Sequence, residues 1–152
     1  MPDGSSTGIG VSVKRKEDYR FLVGEGNYTD DINRPNQTYS YMLRSSSAHA
    51  SFTLDTKNAS KSKGVVQIFV GTDMEVGSIP CGWQVDSKDG TPMREPAHPP
   101  IAKDKVRYVG EILAVVIADT IDDAKNAAEL IEVNYEDIPV IMNMKDAVDS
   151  SN

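Results

Sequence analysis

Glu111, directly after Gly110 in a turn between two apolar stretches, is the carboxylate in this chain that most invites a catalytic reading. A general base needs a pocket and a companion acid, nucleophile or metal. The sequence places none beside it, and the expected role is structural, paired with Arg107. His49, His98 and Cys81 are the natural metal ligands, but they are far apart and show neither C-x-x-C nor H-x-x-x-H spacing. His49, between two alanines, reads as a hydrogen-bonded packing residue. Cys81, flanked by Pro80 and Gly82 next to Trp83, has no neighbouring cation to lower its pKa, so it reads as a structural thiol.

Two further motifs fail on their details. Gly24-Glu-Gly-Asn-Tyr-Thr29 begins like G-x-G-x-x-G but carries Thr at the third glycine, and it follows a helical turn instead of leaving a strand. Met142-Asn-Met-Lys-Asp146 is similar to the Met-Lys-Met hairpin of biotinyl and lipoyl carriers, yet Asp146 stands in place of the second Met and the surroundings read as helical. Lys145 is therefore not expected to carry a cofactor. No catalytic, cofactor-binding or metal-ligating residue is assigned.

The elements around Glu111 are well marked. Residues 105–109 alternate polar and apolar side chains, as a half-buried strand does, and Gly110 punctuates them. Residues 112–118 form a continuous apolar run, the pattern of a strand covered on both faces, so Val115 and Val116 are both expected to be fully buried. Thr120 caps a helix over 121–131, with Asp123 completing a capping-box pattern and Asp122 and Asp123 at the positive end of the dipole. Ile121, Ala124, Ala127, Ala128 and Ile131 recur at helical spacing on its inner face. Residues 132–136 alternate again as a strand.

Upstream, 38–44, 50–55 and 65–70 read as strands, 17–22 as one helical turn ended by Gly24, and 58–63 as a short helix. The excursion 73–104 holds five of the eight prolines and reads as a long irregular loop, where partner contacts concentrate. A last turn is expected at 144–148. Together the elements make an α+β fold without internal repeat or linker, as one domain over 1–152 whose first 12 residues are mobile.

Composition narrows the function classes. A net charge of −7 argues against nucleic acid as partner, since phosphate binding needs a basic surface. Lys14-Arg15-Lys16 reads as a solvated strand end. No apolar run approaches a membrane span, and the N-terminus has no signal-peptide pattern. A single cysteine precludes an internal disulfide. The sequons at Asn27, Asn36 and Asn58 are read as chance, and the expected location is cytoplasmic.

Val106-Arg-Tyr-Val-Gly-Glu111, Ala114-Val-Val-Ile-Ala118 and Ala127-Ala-Glu-Leu-Ile-Glu-Val-Asn-Tyr-Glu136 together resemble one module. It is the N-terminal α/β hammerhead domain of molybdenum hydroxylase large subunits, the family of xanthine dehydrogenase, aldehyde oxidase and carbon monoxide dehydrogenase. The resemblance continues through Lys16-Glu-Asp-Tyr-Arg-Phe-Leu-Val-Gly24, Gly26-Asn-Tyr-Thr-Asp-Asp-Ile32, Arg44-Ser-Ser-Ser-Ala-His-Ala50 and Gly64-Val-Val-Gln-Ile-Phe-Val-Gly-Thr-Asp73, all in family order. Pro80-Cys-Gly-Trp83, Ser87-Lys-Asp-Gly90 and Pro96-Ala-His-Pro99 resemble the bacterial carbon-monoxide-dehydrogenase-like members. Ser46 stands where the family usually has Pro.

The resemblance implies an α/β hammerhead: a mixed sheet with one main packed helix and a hammerhead hairpin. It implies an oxidoreductase whose molybdopterin, iron–sulfur clusters and FAD are bound outside this chain, together with its catalytic Glu. The partners implied are the molybdenum-binding domain and the iron–sulfur subunit, with homo-oligomer formation through exposed apolar faces a further expectation. The chain is thus expected to be a stand-alone fragment or truncated reading frame, architectural and inactive alone. The alternative is an independent protein-interaction module of the same fold, without redox function.

Overall fold

The computed structural model describes residues 9–10 and 14–148. The expected mobile start, residues 1–12, lies outside the described residues except for Ile9 and Gly10. The chain falls into two compact units, residues 1–37 and 38–152.

In the first unit, α1 (Asp18–Leu22) forms the expected helical turn. Arg20 bonds Glu17 at 2.6 Å, and Phe21 stacks on Tyr28 with ring centroids 5.7 Å apart. Gly24 closes the turn at φ +78°, a backbone setting that favours glycine. The Gly24/Gly26 pair thus shapes a loop: a Cβ on Gly26 would lie 2.8 Å from the Phe21 ring. Arg15, in the basic cluster, pairs with Asp18 at 3.3 Å and is largely solvated.

The second unit is built on β1 (Tyr39–Arg44), β2 (Ala50–Asp55), β3 (Val65–Val70), β4 (Lys105–Val106), β5 (Ile112–Ala118), α2 (Ile121–Glu129), β6 (Glu132–Asp137) and α3 (Met144–Val148). The expected helix at 58–63 is a single tight turn over Ala59–Lys61. Instead of one mixed sheet there are two three-stranded sheets, ordered β1-β5-β3 and β4-β2-β6, and every pairing is antiparallel. The apparent hairpin over 105–118 is split between them. β4 is only two residues long and pairs with β2, so 107–111 carries the chain from one sheet to the other. The serine-rich 45–49 makes the same crossing between β1 and β2.

α2 packs Ala124, Ala127 and Ala128 onto Ala114, Val116 and Ala118, all essentially fully buried. Three alanines let the helix axis lie close to the strands, where larger side chains would hold it off. Thr120 is the N-cap as expected: its hydroxyl accepts from the Asp123 N–H at 3.0 Å and donates to Asp123 Oδ2 at 2.6 Å. Two details differ from the sequence expectation. Ile121 is 38% exposed and outside the helix core, while Ile131 is buried just beyond the helix end. Along β5, burial alternates: Val116 is fully buried, but Val115 and Ile117 are only half-buried. The apolar run is therefore covered on one face and partly open on the other. A second core gathers Ala50, Phe52, Ala102, Val106 and Leu113 between the sheets.

Candidate functional site

The turn 107–111 is positioned by local and long-range bonds together. Gly110 adopts φ +90°, which reverses the chain cheaply because glycine lacks a Cβ. Its N–H donates to the Ser45 carbonyl at 2.8 Å, and the Ser45 N–H donates to the Glu111 carbonyl at 2.8 Å. Arg44 adds Nη1 to the Gly110 carbonyl at 2.9 Å. Both crossings between the sheets are thereby tied to each other.

This turn buries the Glu111 carboxylate, leaving the residue 2% exposed. Oε2 accepts the Arg107 backbone N–H at 2.5 Å, and Oε1 lies 4.0 Å from Arg107 Nη1. The expected Arg107–Glu111 pairing is present, as one hydrogen bond to the Arg107 backbone and a long ion pair with its guanidinium.

Next to the turn, loop 78–98 folds back on itself. The Ile79 N–H donates to the His98 carbonyl at 2.8 Å, and the His98 N–H donates to Ser78 Oγ at 2.7 Å. Glu95 accepts from the Cys81 N–H and, at 3.1 Å, from Gln84 Nε2. A turn at Ser87–Thr91 closes the tip, with 2.9 Å between the Ser87 N–H and the Thr91 carbonyl. His98 meets Tyr108 edge-on, with Nε2 3.5 Å from the phenol oxygen. Between loop and turn runs an open groove of about 530 Å³, with Ile79, Pro80 and Met93 on one side and Tyr108 on the other.

The structure brings together Cys81, His98 and Glu111 along this groove but gives them no shared chemistry. The Cys81 thiol is exposed and directed at the Trp83 carbonyl, 3.1 Å away. His49 lies elsewhere, with Nδ1 2.9 Å from the Pro139 carbonyl, the packing role its flanking alanines suggested. Lys145 lies in α3, its N–H donating to Asn143 Oδ1 at 2.8 Å, a helix start and not a carrier hairpin. No group of three His, Cys, Asp or Glu converges among the described residues. One cysteine in the whole sequence does not fit an iron–sulfur cluster, which takes up to four thiolates.

The family profile described as aldehyde oxidase and xanthine dehydrogenase, a/b hammerhead domain, matches residues 23–139. The chain belongs to this hammerhead family. It is 34% identical over 143 residues to the nicotine 6-hydroxylase large subunit of Paenarthrobacter nicotinovorans, covering 92% of this chain and 17% of that one. Quinoline 2-oxidoreductase from Pseudomonas putida 86 superposes with a TM-score of 0.80 at 30% identity, over 94% of this chain and 18% of the other. The Cu,Mo-CO dehydrogenase superposes at 0.76, also 30% identical, over 91% and 16%. The hammerhead chain thus spans less than a fifth of the length of these relatives.

One residue of this hammerhead carries a role that spacing did not show. Gly71, just after β3, lies against the Ala102 carbonyl: a Cβ there would come within 2.8 Å of the carbonyl carbon and closer still to the oxygen. It lets the start of the long loop pass its end, and its place directly after a strand was the available signal.

Proposed function

We propose that this chain is the hammerhead module of a molybdenum-dependent hydroxylase large subunit, and that its role is architectural. The observation that carries the reading is the family match over 23–139, on relatives described as a large subunit and as an oxidoreductase. In the complete enzyme, substrate is hydroxylated with water-derived oxygen at molybdenum, and electrons leave through iron–sulfur clusters to FAD. The 1–152 module binds none of these groups and is a single folding domain. It helps hold the iron–sulfur subunit against the molybdenum-binding domain, in the cytoplasm. Among the described residues no helix is long and apolar enough to cross a membrane. The buried Glu111, bonded to the Arg107 N–H, supports a scaffolding role for the one carboxylate that looks catalytic.

Reconstitution tests this. The tagged chain is co-expressed with the molybdenum-binding and iron–sulfur polypeptides of the same enzyme from its source genome. It should enter a stoichiometric, active complex. Alone, it should be colourless and inactive with aldehydes, purines or carbon monoxide. Failure to join the complex, or turnover by the isolated chain that Glu111→Gln abolishes, would overturn the reading.

A further inference from the structure

β1 lies at the end of the β1-β5-β3 sheet, and its outer edge is open. Alternation fixes what that edge offers. The Ser45 N–H and C=O both bond toward the β5 side, to Glu111 and Gly110. The register skips Leu113 on β5, so β1 itself alternates without interruption. Leu43 and Tyr41 therefore also face β5, while the backbone N–H and C=O of Ser40 and Met42 point outward. Ser40, Tyr41 and Met42 are exposed, and an open groove of about 450 Å³ is lined by residues 40–44 alone.

An open edge recruits a further strand unless something blunts it. The other edges are blunted. β3 is bulged between Val65 and Gln67, and its outward Val70 N–H donates to Asp73 Oδ2 at 2.8 Å. β4 is two residues long, and β6 carries Glu132, Glu136 and Asp137. β1 has no proline, and residues 39–43 carry no charge. Charge also selects this strand for self-contact. Two copies of a chain of net charge −7 repel each other, so they can meet only along an uncharged seam.

We propose that two copies of this chain pair through β1, antiparallel, about a two-fold axis at Tyr41. Ser40 of each copy then lies opposite Met42 of the other, and their outward N–H and C=O groups exchange hydrogen bonds. Tyr41 meets its counterpart across the axis in the closer, non-hydrogen-bonded spacing. The two β1-β5-β3 sheets become one continuous sheet. Because the same surface is used twice, the contact closes at a dimer and leaves no free β1 edge. The pairing needs nothing beyond these 152 residues and stands independently of the function proposed above.

Sedimentation velocity on the full 152-residue chain tests it. Monomer and dimer should be in equilibrium, shifting toward dimer as salt rises, since screening removes the repulsion and leaves the seam intact. Tyr41→Lys and Tyr41→Glu each set like charges opposite one another at the axis. Each should lower the association constant roughly tenfold or more. Mixed in equal amounts, the two variants should regain dimer as a heterodimer. Val66→Lys, on the β3 edge, should leave association unchanged. In a Cys81→Ser background, Tyr41→Cys should cross-link to dimer under mild oxidation, because opposed Cα atoms about 4.5 Å apart suit a disulfide. That readout stands if a charged variant misfolds.

A chain that stays monomeric at high concentration and high salt would overturn the proposal. So would a dimer that both charged variants retain, or one that Tyr41→Cys does not cross-link. Open-ended polymers would show β1 pairing with β3 of the next copy and overturn it as well.

Discussion

Ser45 and Glu111 are bonded through their backbones at the place where the chain twice changes sheets. The Ser45 N–H reaches the Glu111 carbonyl at 2.8 Å, and the two residues are 3% and 2% exposed. The Glu111 side chain then turns back to satisfy the Arg107 N–H, which lies just past the end of β4. A carboxylate that looks available for proton transfer is thereby spent on holding a crossing in register.

Removing that carboxylate should cost stability. Glu111→Ala leaves the Arg107 N–H without its acceptor, and an unsatisfied buried donor costs about 1–3 kcal/mol. Glu111→Gln keeps an acceptor oxygen and should lose about half as much, since only the charge assistance goes. Urea midpoints at constant slope measure both. An alanine variant as stable as wild type would show the bond to be dispensable.

The two valines of β5 should part ways. Val116 is fully buried under α2, and Val116→Asp places an unpaired carboxylate there, which should unfold the unit. Val115→Asp points to the open face and should remain folded with a lower melting temperature. Equal melting of the two variants would mean the faces are not distinct.

Two glycines should fail for different reasons. At Gly110 a Cβ meets nothing within 4 Å, so Gly110→Val is penalised only by φ +90° and should lose about 1–3 kcal/mol. At Gly71 the obstacle is the Ala102 backbone, so even Gly71→Ala must displace a strand end or the loop. Amide exchange should therefore quicken at 100–106 in Gly71→Ala and not in Gly110→Val.

Asp55 and Asp89 should titrate below the ordinary aspartate value of 3.8. For Asp55 the main cause is the Lys57 N–H at 2.9 Å, helped by the Lys57 ammonium. For Asp89 it is the Thr91 hydroxyl, followed by the Thr91 N–H. Folded pKa values below the unfolded ones mean a contribution present above the unfolded value and lost as pH falls through the folded one. Both groups are at the surface, so the effect on stability is small. Carboxyl chemical shifts followed between pH 5 and pH 2, roughly the span over which depressed carboxylates protonate, give the midpoints. Midpoints at or above 3.8 would contradict the bonds.

Within each element the sequence was a sufficient guide. The strands at Tyr39–Arg44, Ala50–Asp55, Val65–Val70 and Ile112–Ala118 fall where alternation and apolar runs place them. Thr120 caps α2, and Gly110 turns at positive φ. These features depend on neighbours one to four residues away, and so does periodicity.

Tertiary structure alone decided which strands meet. Residues 105–118 look like a hairpin because a glycine separates two strand-like stretches, yet β4 pairs with β2 and β5 with β1 and β3. Strand pairing is settled by hydrogen bonds and side-chain packing between residues distant in sequence, which local alternation does not encode. The same holds for Gly71, whose constraint comes from Ala102, thirty-one positions along the chain. It holds above all for β5. Its composition calls for cover on both faces, but only the packed fold shows that α2 supplies one cover and that Met42, Val115, Ile117 and Phe69 remain open on the other.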